Sequence, residues 1–159
     1  MRRLLLLPLV AAALVAPAPA HAVVVPQEGM RGVTLGMTVT EVRGVLGSPT
    51  RFRTVRHEIL GRIRVWTYGL TRVTFDSAAA DARVVTIDTR SRRERLENGV
   101  GVGSTRAAVR RRVEGVRCLV EFTYDHCFLG RFRAGEVVTD FALDRRRRVA
   151  RITIGRVVD

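Results

Sequence analysis

The chain resembles itself at an offset of 67 residues, and no other feature constrains its fold as tightly. Gly32-Val-Thr-Leu-Gly36-Met-Thr-Val-Thr-Glu-Val42-Arg43 aligns with Gly99-Val-Gly-Val-Gly103-Ser-Thr-Arg-Ala-Ala-Val109-Arg110. The same offset carries Val85-Thr86-Ile87 onto Ile152-Thr153-Ile154, and a one-residue slip brings Val73 and Phe75 onto Phe141 and Leu143. A match held at both ends of a segment predicts two related units, residues 23–96 and 97–159, in one compact domain. A chain of 159 residues has room for no more.

Both units read alike. Thr38 in the first and Ser104 in the second follow a glycine and are candidate helix N-caps, whose side-chain oxygens can accept from free backbone N–H groups. Val39, Val42 and Leu46, then Ala108, Val109 and Val113, repeat at helical spacing, which puts Val42 and Val109 beneath the helices. Alternating β-branched and aromatic runs follow at 62–68, 71–76 and 83–90, then at 116–122, 124–129, 136–143 and 149–157. The expected fold class is therefore α+β. It consists of two tandem related units, each a short helical element followed by a three- to four-stranded antiparallel meander, with the helices on one face of the sheet.

The motif Leu35-Gly36-Met37-Thr38-x-x-Glu41-Val42-x-x-x-Leu46-Gly47-x-Pro49 resembles the repeat of the β-lactamase inhibitory protein family. It also resembles the small-protein-A type of outer-membrane assembly lipoproteins. The second unit keeps Val102-Gly103-Ser104 and Val109 without the closing Leu-Gly-x-Pro. The resemblance implies helix-loop-helix elements followed by strand meanders, and a protein partner of inhibitor type. No local motif places the inhibitors' contact residues on this chain. A lipidated cysteine, which the assembly lipoproteins need, is missing near the leader.

Met1-Arg2-Arg3, the apolar run Leu4 to Val15 and Ala20-His21-Ala22 read as a signal peptide over residues 1–22, giving a mature start near Val23. The apolar run is too short for a membrane span, which needs about 20 residues. The expected localisation is secreted or extracellular, with envelope association as a variant. In an oxidising compartment Cys118 and Cys127, enclosing eight residues around a hairpin, should form a disulfide. A metal site from Cys118, His126 and Cys127 is disfavoured, because adjacent strand residues point to opposite faces.

Catalytic and cofactor motifs are not found. His57-Glu58 diverges on a strand, no Gly-x-Ser-x-Gly or free cysteine supplies a nucleophile, and Gly99-Val-Gly-Val-Gly103 matches neither dinucleotide nor phosphate-loop patterns. Asp76, Asp81 and Asp88 read as solvated ion pairs at strand ends, Arg90 to Arg95 as a linker, and Arg145 to Arg148 as a hairpin tip. The expectation is a non-enzyme without cofactor or metal.

All 28 basic residues are arginine, against 15 acidic ones, for a net charge of +13. Such a chain attracts polyanions and acidic proteins. In Arg62-Ile-Arg-Val-Trp-Thr-Tyr68 the alternation separates Ile63, Val65 and Thr67 from Arg62, Arg64, Trp66 and Tyr68. With the aliphatic side packed under the helices, Arg62, Arg64, Trp66, Tyr68, Arg72 and Arg151 would form an arginine-framed aromatic surface on the open sheet face. Trp, Tyr and Arg dominate binding hot spots. The competing reading is that Trp66 completes the core. Two functions follow: a secreted non-enzymatic binding protein engaging an acidic extracellular or envelope protein, or a basic envelope protein held by wall or membrane polyanions. Specific nucleic-acid binding and a transmembrane segment after cleavage are not expected.

Overall fold

Valine, isoleucine and threonine at alternate positions, broken by glycine, build strands rather than helices. The computed structural model describes residues 23–158, and the expected leader lies outside the described residues. Three short strands, β1 (Val24–Val25), β2 (Gly29–Met30) and β3 (Val33–Thr34), open the chain and form a small antiparallel sheet. Helix α1 (Val39–Leu46) leads into β4 (Arg51–His57), β5 (Gly61–Tyr68), β6 (Thr71–Phe75) and β7 (Val84–Thr89). Helix α2 (Arg106–Arg112) leads into β8 (Arg117–Glu121), β9 (Tyr124–Leu129), β10 (Val137–Leu143) and β11 (Val149–Arg156). These last eight strands form one antiparallel sheet in the order β4-β5-β6-β7-β11-β10-β9-β8.

The expected α+β pair of tandem helix-plus-meander units is thereby corrected: the fold is mostly β, 48% strand to 11% helix. The helices are only eight and seven residues long, and each sinks a single fully buried side chain, Val42 and Val109 respectively. Direct pairing of β7 with β11 makes the eight strands one continuous sheet rather than two packed bodies. The N-terminal sheet and strand β4 were outside the expectation. Their runs are two-residue bridges in one case and an arginine-interrupted strand in the other, so neither carries a clean hydrophobic period.

Each helix is fixed at its start. The Thr38 hydroxyl accepts from the Glu41 N–H while the Glu41 carboxylate accepts from the Thr38 N–H, a closed capping box. Helix α2 is capped by Thr105 instead of Ser104, whose hydroxyl accepts from the Gly101 N–H one turn earlier. Both entry loops are tied to the sheet region by paired backbone bonds: Gly36 N–H to Val84 O and Val84 N–H to Met37 O, both at 2.8 Å, and Gly103 N–H to Val149 O and Val149 N–H to Ser104 O, at 2.7 and 2.9 Å.

The core lies on one face of the large sheet. Phe52, Trp66, Val73, Ile87, Ile154, Thr139 and Leu129 form one row across the strands. Tyr68, Thr71, Thr89, Ile152, Phe141, Cys127 and Cys118 form the next. The helices and the N-terminal strands supply Val42, Val109, Val24, Met30 and Val33 to the same cluster. The segment Arg90 to Arg95, read as a linker, is drawn into this packing. Glu94 is buried, accepts from the Thr71 hydroxyl and lies 3.6 Å from Arg31. Among the described residues no helix is long and apolar enough to cross a membrane.

Val42→Asp or Val109→Asp places an unpaired carboxylate in this core and should destabilise the fold by about 2–5 kcal/mol. Thermal melts of both variants check this, and an unchanged melting temperature for either would contradict the packing of its helix.

Candidate functional site on the open face of the sheet

The turn Gly69-Leu70 is two residues long, so Tyr68 pairs with Thr71, Trp66 with Val73 and Val65 with Thr74. Cross-strand partners share a face. Since Val73 is fully buried in the core, Trp66 and Tyr68 must lie on the covered side with it. They do, at 4% and 7% exposure. Trp66 packs edge-on against Phe75 beneath the Arg43 guanidinium, and the Tyr68 hydroxyl donates to Gly47 O. Burial pushes the Tyr68 phenol up.

The arginine-framed aromatic surface of the sequence reading is therefore not assembled. Arg62 and Arg64 share the Trp66 side of β5, where Arg64 donates to Ala78 O at 2.6 Å. Arg72 and Arg151, with Thr74 and Thr153, occupy the opposite, open face. What joins them there is the aliphatic side of β5. Ile63 and Val65 are buried on the open face, in a 310 Å³ hollow lined also by Arg53, His57, Arg72, Asp88 and Arg151. Arginine stems can cover apolar floor while their heads stay wet, which is how branched residues come to be buried outside the core.

One row crosses the whole open face: Arg51, Thr67, Arg72, Asp88, Thr153, Asp140, Phe128 and Arg117, one from each strand. At its centre Arg72 grips Asp88 through Nε and Nη2 at 2.9–3.1 Å. Asp88 is thus a buried, doubly bonded carboxylate near the end of β7 rather than a solvated one. Bidentate pairing is the arrangement that makes such a charge tolerable.

The neighbouring acid, Asp140, is also buried and serves two partners. Its Oδ1 lies 2.6 Å from His126 Nδ1, and its Oδ2 accepts from the Tyr124 hydroxyl. His126 is 2% exposed, stacked on Phe128 and flanked by Tyr124 and Phe132. The Arg117 guanidinium lies over Phe128. Asp140 orients the imidazole, but His126 Nε2 engages no hydroxyl or thiol. It has no hydrogen-bond partner among the described residues, and Glu121 stands 4.0 Å away. Arg151 Nε is likewise buried without a partner.

Burial, then the hydrogen bond and charge of Asp140, push the Tyr124 phenol up to about 12, with Arg151 pulling the other way. The sequence reading missed Tyr124 and Asp140. Its available signal was an aspartate inside the apolar run Val137 to Leu143. His57, at the rim of the hollow, closes its own turn, Nδ1 accepting from the Ile59 and Leu60 N–H groups.

Cys118 and Cys127 stand directly opposite each other on β8 and β9 and are joined by a disulfide. The bond takes both thiols that a Cys118–His126–Cys127 metal site would need. His126 faces the open side and Cys127 the core, as strand alternation requires.

The fold and this face define a mostly β protein with a basic, partly aromatic open sheet surface. No family model and no curated protein matches the chain. Among solved structures it is similar to a DUF4309 family protein (YjgB) from Bacillus subtilis, at 17% identity and a TM-score of 0.48, over 82% of this chain and 88% of that one. It is also similar to a cysteine-rich secretory protein from Staphylococcus aureus, at 10% identity and a TM-score of 0.44. That match covers 77% of this chain and 44% of that one. Neither is named as a β-lactamase inhibitory protein or a small-protein-A-type lipoprotein.

Tyr124 gives the site a pH signature. A phenol whose folded pKa is raised stabilises fully below the unfolded value near 10, and that contribution is lost as pH rises through about 12. Ultraviolet titration should show Tyr124 ionising near pH 12, and Asp140→Asn should bring it down toward 10. A Tyr124 that ionises near 10 in the native protein would contradict the Asp140 bond.

Proposed function

We propose that the chain is an exported, non-enzymatic binding module that grips an acidic protein segment on the open face of its sheet. The observation that carries this reading is the hollow over Ile63 and Val65, ringed by Arg53, Arg72 and Arg151. Arg72 is held in place by Asp88, so the floor is pre-ordered, while Arg151 keeps a buried Nε without a partner among the described residues. Guanidiniums around an apolar floor suit a segment that offers carboxylates beside an apolar side chain. The partner is then a protein, as it is for the inhibitors whose repeat the Leu35-Gly36-Met37-Thr38 pattern resembles. The disulfide is compatible with an extracellular home and supports export.

A second reading rests on Arg145 to Arg148, an exposed run on the turn between β10 and β11. There the chain would be an envelope protein held by wall or membrane polyanions, through charge alone.

Calorimetric titration with a glutamate-rich peptide carrying leucines separates the two. Arg53→Ala and Arg151→Ala should each weaken binding by about 2 kcal/mol, the level of an interface hot spot, while the fold is kept. Binding should also persist as salt rises, because an apolar floor is not screened. Loss of binding on changing Arg145 to Arg148 to serine, with complete collapse in salt, would favour the polyanion reading instead.

A further inference from the structure

Both outer strands of the large sheet, β4 and β8, have one unpaired side. An unpaired strand is a template for another, and proteins usually blunt it with charge. Strand β4 is blunted in that way, since Arg51, Arg53 and Arg56 crowd its seven residues without a carboxylate. Strand β8 is not. Leu119 and Val120 are 45% and 59% exposed, and Phe122 just beyond them is wholly exposed.

We propose that β8 pairs antiparallel with β8 of a second copy of this chain, about a twofold axis at Leu119. The backbone is ready for that register. Glu121 and Tyr124 flank the two-residue turn Phe122-Thr123. A two-residue turn makes its flanking pair the hydrogen-bonded one, and ladder pairs then alternate. Arg117, Leu119 and Glu121 are accordingly bonded to β9, while Cys118 and Val120 aim their N–H and C=O groups at the free edge. The disulfide agrees, for the Cα atoms of Cys118 and Cys127 are 3.9 Å apart, on the narrow side that marks a non-hydrogen-bonded pair. Centred on Leu119, Cys118 of one copy meets Val120 of the other, and the pair exchanges both backbone bonds on each side of the axis.

The side chains fit the same register. Leu119 meets Leu119, Arg117 of each copy faces Glu121 of the other, and Phe122 reaches Val116. Strand β8 is thus self-complementary in charge as well as in shape, which favours a second copy over an acidic peptide. An acidic peptide would suit β4. The disulfide holds β8 to β9 and keeps the edge in line. Phe122 adopts a positive φ of 53°, a conformation bulky residues rarely take, and this keeps the turn to two residues. An edge of five residues buries little area, so the dimer belongs to the weak, concentration-dependent class.

Sedimentation velocity on the purified chain should show conversion from monomer to dimer between about 1 and 100 µM, the range of a micromolar contact. Arg117→Glu sets carboxylate against carboxylate and Glu121→Arg sets guanidinium against guanidinium, so each variant alone should stay monomeric. An equimolar mixture of the two restores both ion pairs and should dimerise. Because Arg117 also packs on Phe128, circular dichroism first establishes that its variant folds. Leu119→Lys, which touches neither ion pair, is the second arm and should give a monomer with an unchanged melting temperature. A wild-type monomer across the range, a dimer that survives Leu119→Lys, or folded variants whose mixture stays monomeric would each overturn the proposal.

Discussion

Pairing of β7 with β11 aligns Ile87 with Ile154 and Asp88 with Thr153, and through those positions it sets both faces of the sheet at once. Ile87 and Ile154 are fully buried beneath the helices and the N-terminal strands. Their neighbours Asp88 and Thr153 are thereby obliged to face the other way. A slip of one residue would turn Asp88 into the core and Ile87 out of it, at a cost no ion pair could offset. The apolar pair is what makes a charged row on the opposite side possible. Further pairs extend that row from β4 to β8.

That row holds two buried carboxylates, and buried charge is seldom a source of stability. Asp88 is neutralised bidentately by Arg72, and Asp140 is shared by Tyr124 and His126. Apolar residues of similar size would hold a sheet face together at least as well. What the polar arrangement adds is order: Arg72 is fixed by Asp88, and the imidazole of His126 is fixed by Asp140. A surface on which Arg72 and His126 are already held loses little side-chain freedom in the proposed binding of a partner.

Much of this was legible in the residues. The cysteine spacing and the hairpin around it gave the disulfide. The core positions Val73, Phe75, Ile152 and Ile154 followed from alternation. The orientation of β5 was legible too, although alternation alone does not supply it. Both sides of Arg62 to Tyr68 are apolar enough to be the inner one, and Ile63 and Val65 look more like core than a tryptophan between arginines. The two-residue turn at Gly69-Leu70 resolves the ambiguity, because it ties Trp66 to Val73. Less accessible were the closure of eight strands into one sheet and the short N-terminal strands. Closure depends on contact between β7 and β11, far apart in sequence, and strands of two residues have no period to read. The union of Tyr124, His126 and Asp140 was hidden for the same reason, since it is made only when β9 and β10 align.

Which side of the sheet is open is the point on which the site, its arginines and its proposed partner all depend. Trp66, the only tryptophan in the chain, reports on it directly through fluorescence quenching. With Trp66 on the covered face, native emission should be blue-shifted and nearly untouched by iodide, and both properties should be lost in denaturant. Red-shifted native emission that iodide quenches freely would place Trp66 on the open face and contradict the orientation described.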